Sequence, residues 1–237
     1  MIIVNADDFG ISDAVNKAII QSFEDGIISS ASIMPNMPSF EDAVRLAFEK
    51  DITDRIGFHF NLTEGIPLTD SIKSCPRLCS DGKSFSYRRN SVWHWSRKEK
   101  EAIREEFKAQ LERLKSAGIT PTHLDSHQHV HTEIPVFMTI RGLVKNMGIT
   151  KIRRSKNLDI SWKVRPYKLI INTLFRLSGL KTTRYLTRFQ TPASVNGSIE
   201  YVCHPIVDPA NGCIVDAITH EKLEKRYEVI TGYSDLK

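Results

Sequence analysis

Cysteine is scarce, with four in 237 residues. That is too few for a disulfide scaffold in a chain of this size, and it reads as a reduced cytoplasmic protein. Cys75 and Cys79, in "CPRLC", have a gap that suits metal ligands, but no second Cys or His pair stands near them. Cys203 sits in a strand-like run and reads as a small core residue. No run approaches the roughly 18 apolar residues of a membrane span. Met1 leads straight into "IIVNADD", without the basic and apolar stretches of a signal peptide. Repeats, low-complexity tracts and linkers are also lacking, so a single domain over 1–237 is expected. The charge excess is modest, +5, and is spread along the chain. Its densest basic region, roughly 151–188, is interleaved with Leu, Ile and Phe. It reads as a solvated helix face, which argues against a nucleic-acid partner.

What the chain does have is an alternation. "MIIVNA", "IISSASIM", "RIGFHFNL", "ITPTHLD", "ITKIRR", "SIEYVC" and "YEVIT" read as strands. Helical patterns separate most of them. Ser12 caps one that ends at Gly26, and Ser39 with Asp42 resembles a capping pair for a second. Ser96 with Glu99 forms a capping box for a third, and Pro135 opens a fourth. A fifth helix runs from about 163 to 178. Residues 66–95 read as a long loop excursion. Alternation predicts a parallel sheet with helices outside it. Seven strands in a chain of this length suit an α/β fold of the distorted or incomplete (β/α) barrel type, similar to a TIM barrel, though a doubly wound sheet shares the pattern.

In either architecture the active site gathers at the carboxyl ends of the strands. The first strand ends in Asn5, Asp7 and Asp8; the third carries His59 and Asn61. "HLDSHQHVH" holds His123, Asp125, His127, His129 and His131, four of the eight histidines in nine positions. Arg153, Arg154 and His204 end later strands. If 123–131 is extended, its acid and its imidazoles share one face, with consecutive members about 6–7 Å apart, so a single ion takes one or two of them. Asp7 and Asp8 would point to opposite sides of a regular strand, but a turn at the strand end lets both reach one pocket. Two imidazoles and a carboxylate make a ligand set with open positions. A free carboxylate beside it can act as base, and a histidine on another strand end as acid. The residues thus point to a metal-dependent hydrolase of an amide or ester.

"VNADDFGIS", "GFHFNLTEG", "HLDSHQHVH" and "YVCHP" resemble, in order, the motifs of the YdjC-like carbohydrate deacetylase family, and "SIMPNMPSFEDAV" resembles its second-strand region. The resemblance implies a distorted barrel and removal of an N-acetyl group from an acetylated amino-sugar substrate. It also implies one divalent metal ion, magnesium or zinc. By the family's pattern Asp8, His59 and His127 are the metal ligands, Asp7 is the general base and His204 the acid. Asp125 would orient His127 or its neighbours, Arg153 would touch substrate or Asp7, and His129 and His131 would lie outside the ligand set. Two departures stand out. Only "QTPASVNGSI" lies between Phe189 and Glu200, where relatives have a helix-sized segment, and the chain stops at "TGYSDLK". A missing barrel unit would expose apolar edges, which a homodimer would cover. Another metal hydrolase, such as a phosphoesterase, and an inactive sugar-binding relative are the rival readings.

Overall fold

The computed structural model describes residues 1–191 and 193–236. Six parallel strands carry the fold: β1 (Ile2–Phe9), β2 (Ser30–Ile33), β3 (Ile56–Phe60), β4 (Leu124–Ser126), β5 (Tyr185–Arg188) and β6 (Ile199–Cys203), in the order β4-β3-β2-β1-β6-β5. The edges β4 and β5 do not stay open. Leu124 bridges Ile152, and Lys151 bridges Lys181, just ahead of β5. The sheet therefore curls into a distorted barrel whose seventh stave, around 151–153, is reduced to isolated bridges. The edges that motivated a homodimer are spanned, and that argument for one loses its premise.

Helices α1 (Asp13–Glu24), α2 (Phe40–Glu49), α3 (Asp70–Lys73), α4 (Arg97–Ser116), α5 (Ile134–Asn146) and α6 (Arg165–Leu177) follow the expected starts with two differences. The Ser96 and Glu99 capping box forms as read. Ser39 does not cap α2; its hydroxyl donates to Asp13, and Asp42 accepts from Asn16 Nδ2 at 3.0 Å instead. The 66–95 excursion is ordered rather than irregular. It contains α3, buries Leu78, Phe85, Tyr87 and Trp95, and hangs its backbone on the buried Glu106 of α4, which accepts from Leu68 and Thr69 N–H at 3.0 and 2.9 Å. Cys75 and Cys79 are buried free thiols within it, and Cys203 is a buried core residue.

The ends of the chain differ most from the pattern. "YEVIT" forms no strand; it runs as a strap whose Thr231 N–H donates to the Ile2 carbonyl at 2.7 Å. The β5 strand, and the antiparallel hairpin of β7 (Pro205–Val207) and β8 (Ile214–Asp216), are only three or four residues long, too short for a period to stand out in the sequence. Parallel neighbours β5 and β6 are linked by residues 189–198, which form no helix among the described residues.

Strand alternation sorts the side chains into two cores. Phe58 and Phe60 face outward and meet Phe107 of α4 at ring-centroid distances of 5.4 and 5.0 Å. The inward residues are polar. Arg153, fully buried, donates to Asp7 and Glu200 and forms an ion pair with Asp125 at 2.8 Å. Tyr233, on the C-terminal strap, closes the barrel floor: its hydroxyl donates to Glu200 and its ring stacks on His123 at 3.6 Å. Gly57 makes room for this, since a Cβ there would lie 2.2 Å from the His123 ring.

Candidate active site

The two adjacent aspartates reach one pocket because β1 bulges. Its pairing with β2 runs Ala6↔Ala31 and then Phe9↔Ile33, three residues against two. Asp8 takes up the difference with φ of 70°, the left-handed region a non-glycine residue adopts under constraint. Asp7 therefore points into the barrel and Asp8 across its mouth. Asn16, on α1, holds the turn by accepting from the Gly10 N–H at 2.7 Å.

Asp8 Oδ1 lies 3.2 Å from His59 Nε2 and 2.7 Å from His127 Nδ1. Donor atoms of the three residues all lie within 4.8 Å of one another, a spacing that one ion can bridge. Asp125 approaches the other nitrogen of His59, Nδ1, at 2.7 Å, and Ser32 Oγ joins both at 3.0 and 2.8 Å. A carboxylate behind an imidazole is the arrangement that orients metal-binding histidines. The electrostatics point the same way. Burial would lower the His59 pKa, but Asp125 and Asp8 outweigh it and raise it to about 10. Burial would raise Asp8, yet its bonds to His127 and His59 hold it well below the usual carboxylate range. The cluster draws in positive charge, and its donor chemistry fits a divalent cation.

A second group, Asp7, His59 and Asp125, also gathers closely. Arg153 already fills it. The guanidinium grips Asp7 through two bonds of 2.6 and 2.7 Å and sits 2.8 Å from Asp125. Asn5 Nδ2 adds a bond to Asp7 Oδ1 at 2.9 Å. Across the mouth, His204 Nε2 stands 3.9 Å from Asp7 Oδ2, too far for a hydrogen bond but within reach of a shared substrate. Its backbone N–H donates to Asp216 at 2.9 Å, and its Nδ1 lies 3.7 Å from the same carboxylate. Asp7, Asp8, His59, His127 and His204 line a cleft of about 630 Å³, whose lining also includes Arg89, Lys156, Lys168 and Arg188.

The structure thus brings Asp7, Asp8, His59, His127 and His204 together. The single imidazole face read into 123–131 does not exist. β4 stops at Ser126, and Gln128 and His129 turn left-handed, at φ 50° and 57°. His123 drops to the barrel floor. His131 is buried between Ser126 Oγ and the Arg153 carbonyl, and burial pushes its pKa down to about 3. His129 lines the cleft without joining the ligand group. Asp125 orients His59, not His127; the partner of His127 Nε2 is Glu64, at 2.8 Å. Arg153 is fully buried and touches Asp7 rather than a substrate. The sequence reading missed Glu64, although it lies within "GFHFNLTEG". It also missed Glu200, an acid inside the apolar run "SIEYVC" that itself was a signal. Nothing local marks Ser32, Asp216 or Tyr233.

A family model described as YdjC-like protein matches residues 1–232. The carbohydrate deacetylase of Halalkalibacterium halodurans is 33% identical over 211 residues, covering 86% of this chain and 84% of that one. That of Geobacillus stearothermophilus is 36% identical over 210 residues, 86% of this chain and 78% of that one. Among solved structures, a candidate cellobiose-phosphate cleavage protein from Enterococcus faecalis matches with a TM-score of 0.68 at 23% identity, covering 88% of this chain and 82% of that one, a likeness of fold.

Proposed function

The chain belongs to the YdjC-like protein family, and from that premise we propose that it is a metal-dependent carbohydrate deacetylase that hydrolyses the acetamide of an N-acetylated amino sugar. One observation carries the reading: three donors converge on one point while a fourth group, Asp7, is clamped beside them without joining. Asp8, His59 and His127 would hold a single divalent ion. Two imidazoles with one carboxylate suit zinc, or another transition ion, better than magnesium. When bound, the ion acidifies a water and polarises the acetyl carbonyl.

The chain's own residues do the rest. Asp7 takes the proton of the attacking water, and Arg153 and Asn5 fix which lone pair it offers. His204 Nε2, on the opposite side of the mouth, delivers a proton to the amine nitrogen as the C–N bond breaks. Asp216 holds His204 through its backbone and faces its far nitrogen. The test is acetate release from N-acetylglucosamine oligomers and other N-acetylated glycoconjugates. Release should stop with chelator and return with added divalent ion. Release that continues unchanged in chelator contradicts the reading.

The phosphoesterase reading needs two ions about 3.5–4 Å apart. The Arg153 guanidinium occupies the space between Asp7 and Asp125 where the second would sit, so the geometry disfavours it. An inactive relative is disfavoured by the presence of all five residues in one mouth.

The acid has a pH signature. Burial alone would lower the His204 pKa, but Asp216, Asp7 and Asp8 reverse this and raise it above the ordinary value of 6.5. The proton-donating form therefore persists above pH 6.5, and kcat should fall on the alkaline side only above that value. Asp216→Asn removes the foremost raising partner. In kcat measured against pH, its alkaline limb should move to lower pH, with the acid limb in place.

A further inference from the structure

Helix α6 has apolar residues on both faces. Its inner face buries Ile171, Asn172 and Phe175. Its outer face presents Pro166, Leu169, Ile170, Thr173 and Leu177, at the spacing that places them on one stripe. Leu169 is 64% exposed, Ile170 52% and Leu177 79%, and Trp162, on the turn that leads in, is 74% exposed. Burying large aliphatic side chains is favourable, so an exposed apolar stripe, interrupted only by the half-buried Thr173, marks a surface that meets something apolar.

The charges around it select the partner. Lys163, Arg165 and Arg176 are exposed beside the stripe. The segment 154–188, which leaves out the barrel-buried Arg153, holds nine basic residues and one acid, Asp159, which Lys156 faces at 3.7 Å. That is +8 in a chain whose net charge is +5, so the remainder carries −3. A second copy packed on this face about a two-fold axis would set the same cations against one another, which is costly. A surface that is apolar inside and anionic at its rim accommodates both features. Apolar stripe, flanking Arg and Lys, and an aromatic at the edge are the composition of a helix lying in a bilayer interface.

We propose that α6 and the turn before it form a docking surface for an anionic phospholipid membrane, on which the protein sits without crossing. No helix among the described residues is long and apolar enough to span one. The α6 axis, about 20 Å long, would lie in the interface. Lys168, on the inner face of α6 among Ile171, Asn172 and Phe175, lines the active-site cleft, so the cleft lies behind the docking helix and stays open to soluble substrate. The proposal concerns adsorption and stands apart from the deacetylase reading.

The test is co-sedimentation of the full chain with vesicles of phosphatidylcholine alone and with about a third phosphatidylglycerol. Binding is expected to the anionic vesicles and to weaken with salt. Either Leu169→Ser with Ile170→Ser, or Arg165→Glu with Arg176→Glu, should lower the bound fraction about tenfold or more. Both pairs lie outside the cleft, and their turnover of soluble substrate should match the native chain. Absence of binding to the anionic vesicles overturns the proposal, as does binding that survives both double substitutions. So does a native chain that is dimeric in solution, ignores vesicles and becomes monomeric with the serine pair.

Discussion

Asp7→Asn should bind one divalent ion per chain with near-native affinity and turn over substrate about 10²–10⁴-fold more slowly, the usual contribution of a positioned base. The amide keeps the shape and one acceptor of the carboxylate, so Asn5 and half of the Arg153 fork can still be met. What it cannot do is take a proton from water. The loss should fall on kcat and leave KM nearly unchanged, because Asp7 holds no part of the sugar in this account. Asp8→Asn should do the reverse in order of cause, losing the ion first and turnover as a consequence. If Asp7→Asn kept near-native kcat, the base would have to be another group.

Arg153→Met should destabilise the protein by about 3–5 kcal/mol, the usual result of stripping a buried ion cluster of one sign. In a domain of this size that is roughly 6–20 °C in Tm. Asp7, Asp125 and Glu200 would be left buried without their cation. Even with Arg153 present, burial raises the Glu200 pKa to about 7. Removing the cation takes away an influence that lowers the folded pKa of Asp125 and Glu200, and so raises both. An acid whose folded pKa exceeds its unfolded value costs stability above the unfolded pKa and ceases to cost it below. The deficit in Tm should therefore be largest near pH 8 and shrink toward pH 5. Thermal unfolding at the two pH values measures it, and a deficit that is equal at both would contradict the account of the barrel interior.

Arg153 also shows where sequence reading reaches its limit. The parallel sheet with outer helices, and the placing of Asp7, Asp8, His59, His127 and His204 at strand ends, were legible; β5 and the order of the strands were not. The legible features rest on alternation, on capping residues and on motifs within a few residues of one another. Asp8 could be paired with His59 and His127 only through the family resemblance, since the convergence depends on a bulge and a left-handed residue that no local pattern encodes. The stretch 123–131 misled for the same reason. Its period of two suggested one long strand, but the chain turns left-handed at Gln128 and sends His123, His127 and His131 to the floor, the mouth and the wall. The barrel floor was invisible. Tyr233, His123, Glu200 and Gly57 meet there from four distant parts of the chain, and each alone reads as ordinary. The strap that brings Tyr233 has the composition of a strand, and its hydrogen bonding to Ile2 gives it a partner without making it one.

The central claim is that one cation is held between Asp8, His59 and His127 with Asp7 left unligated beside it. Anomalous diffraction from crystals soaked in zinc measures this directly. One peak should appear within coordination distance of all three residues, about 2.0–2.2 Å, with Asp7 still paired to Arg153. A peak bound by Asp7, two peaks in the mouth, or an ion held away from these three side chains would contradict it.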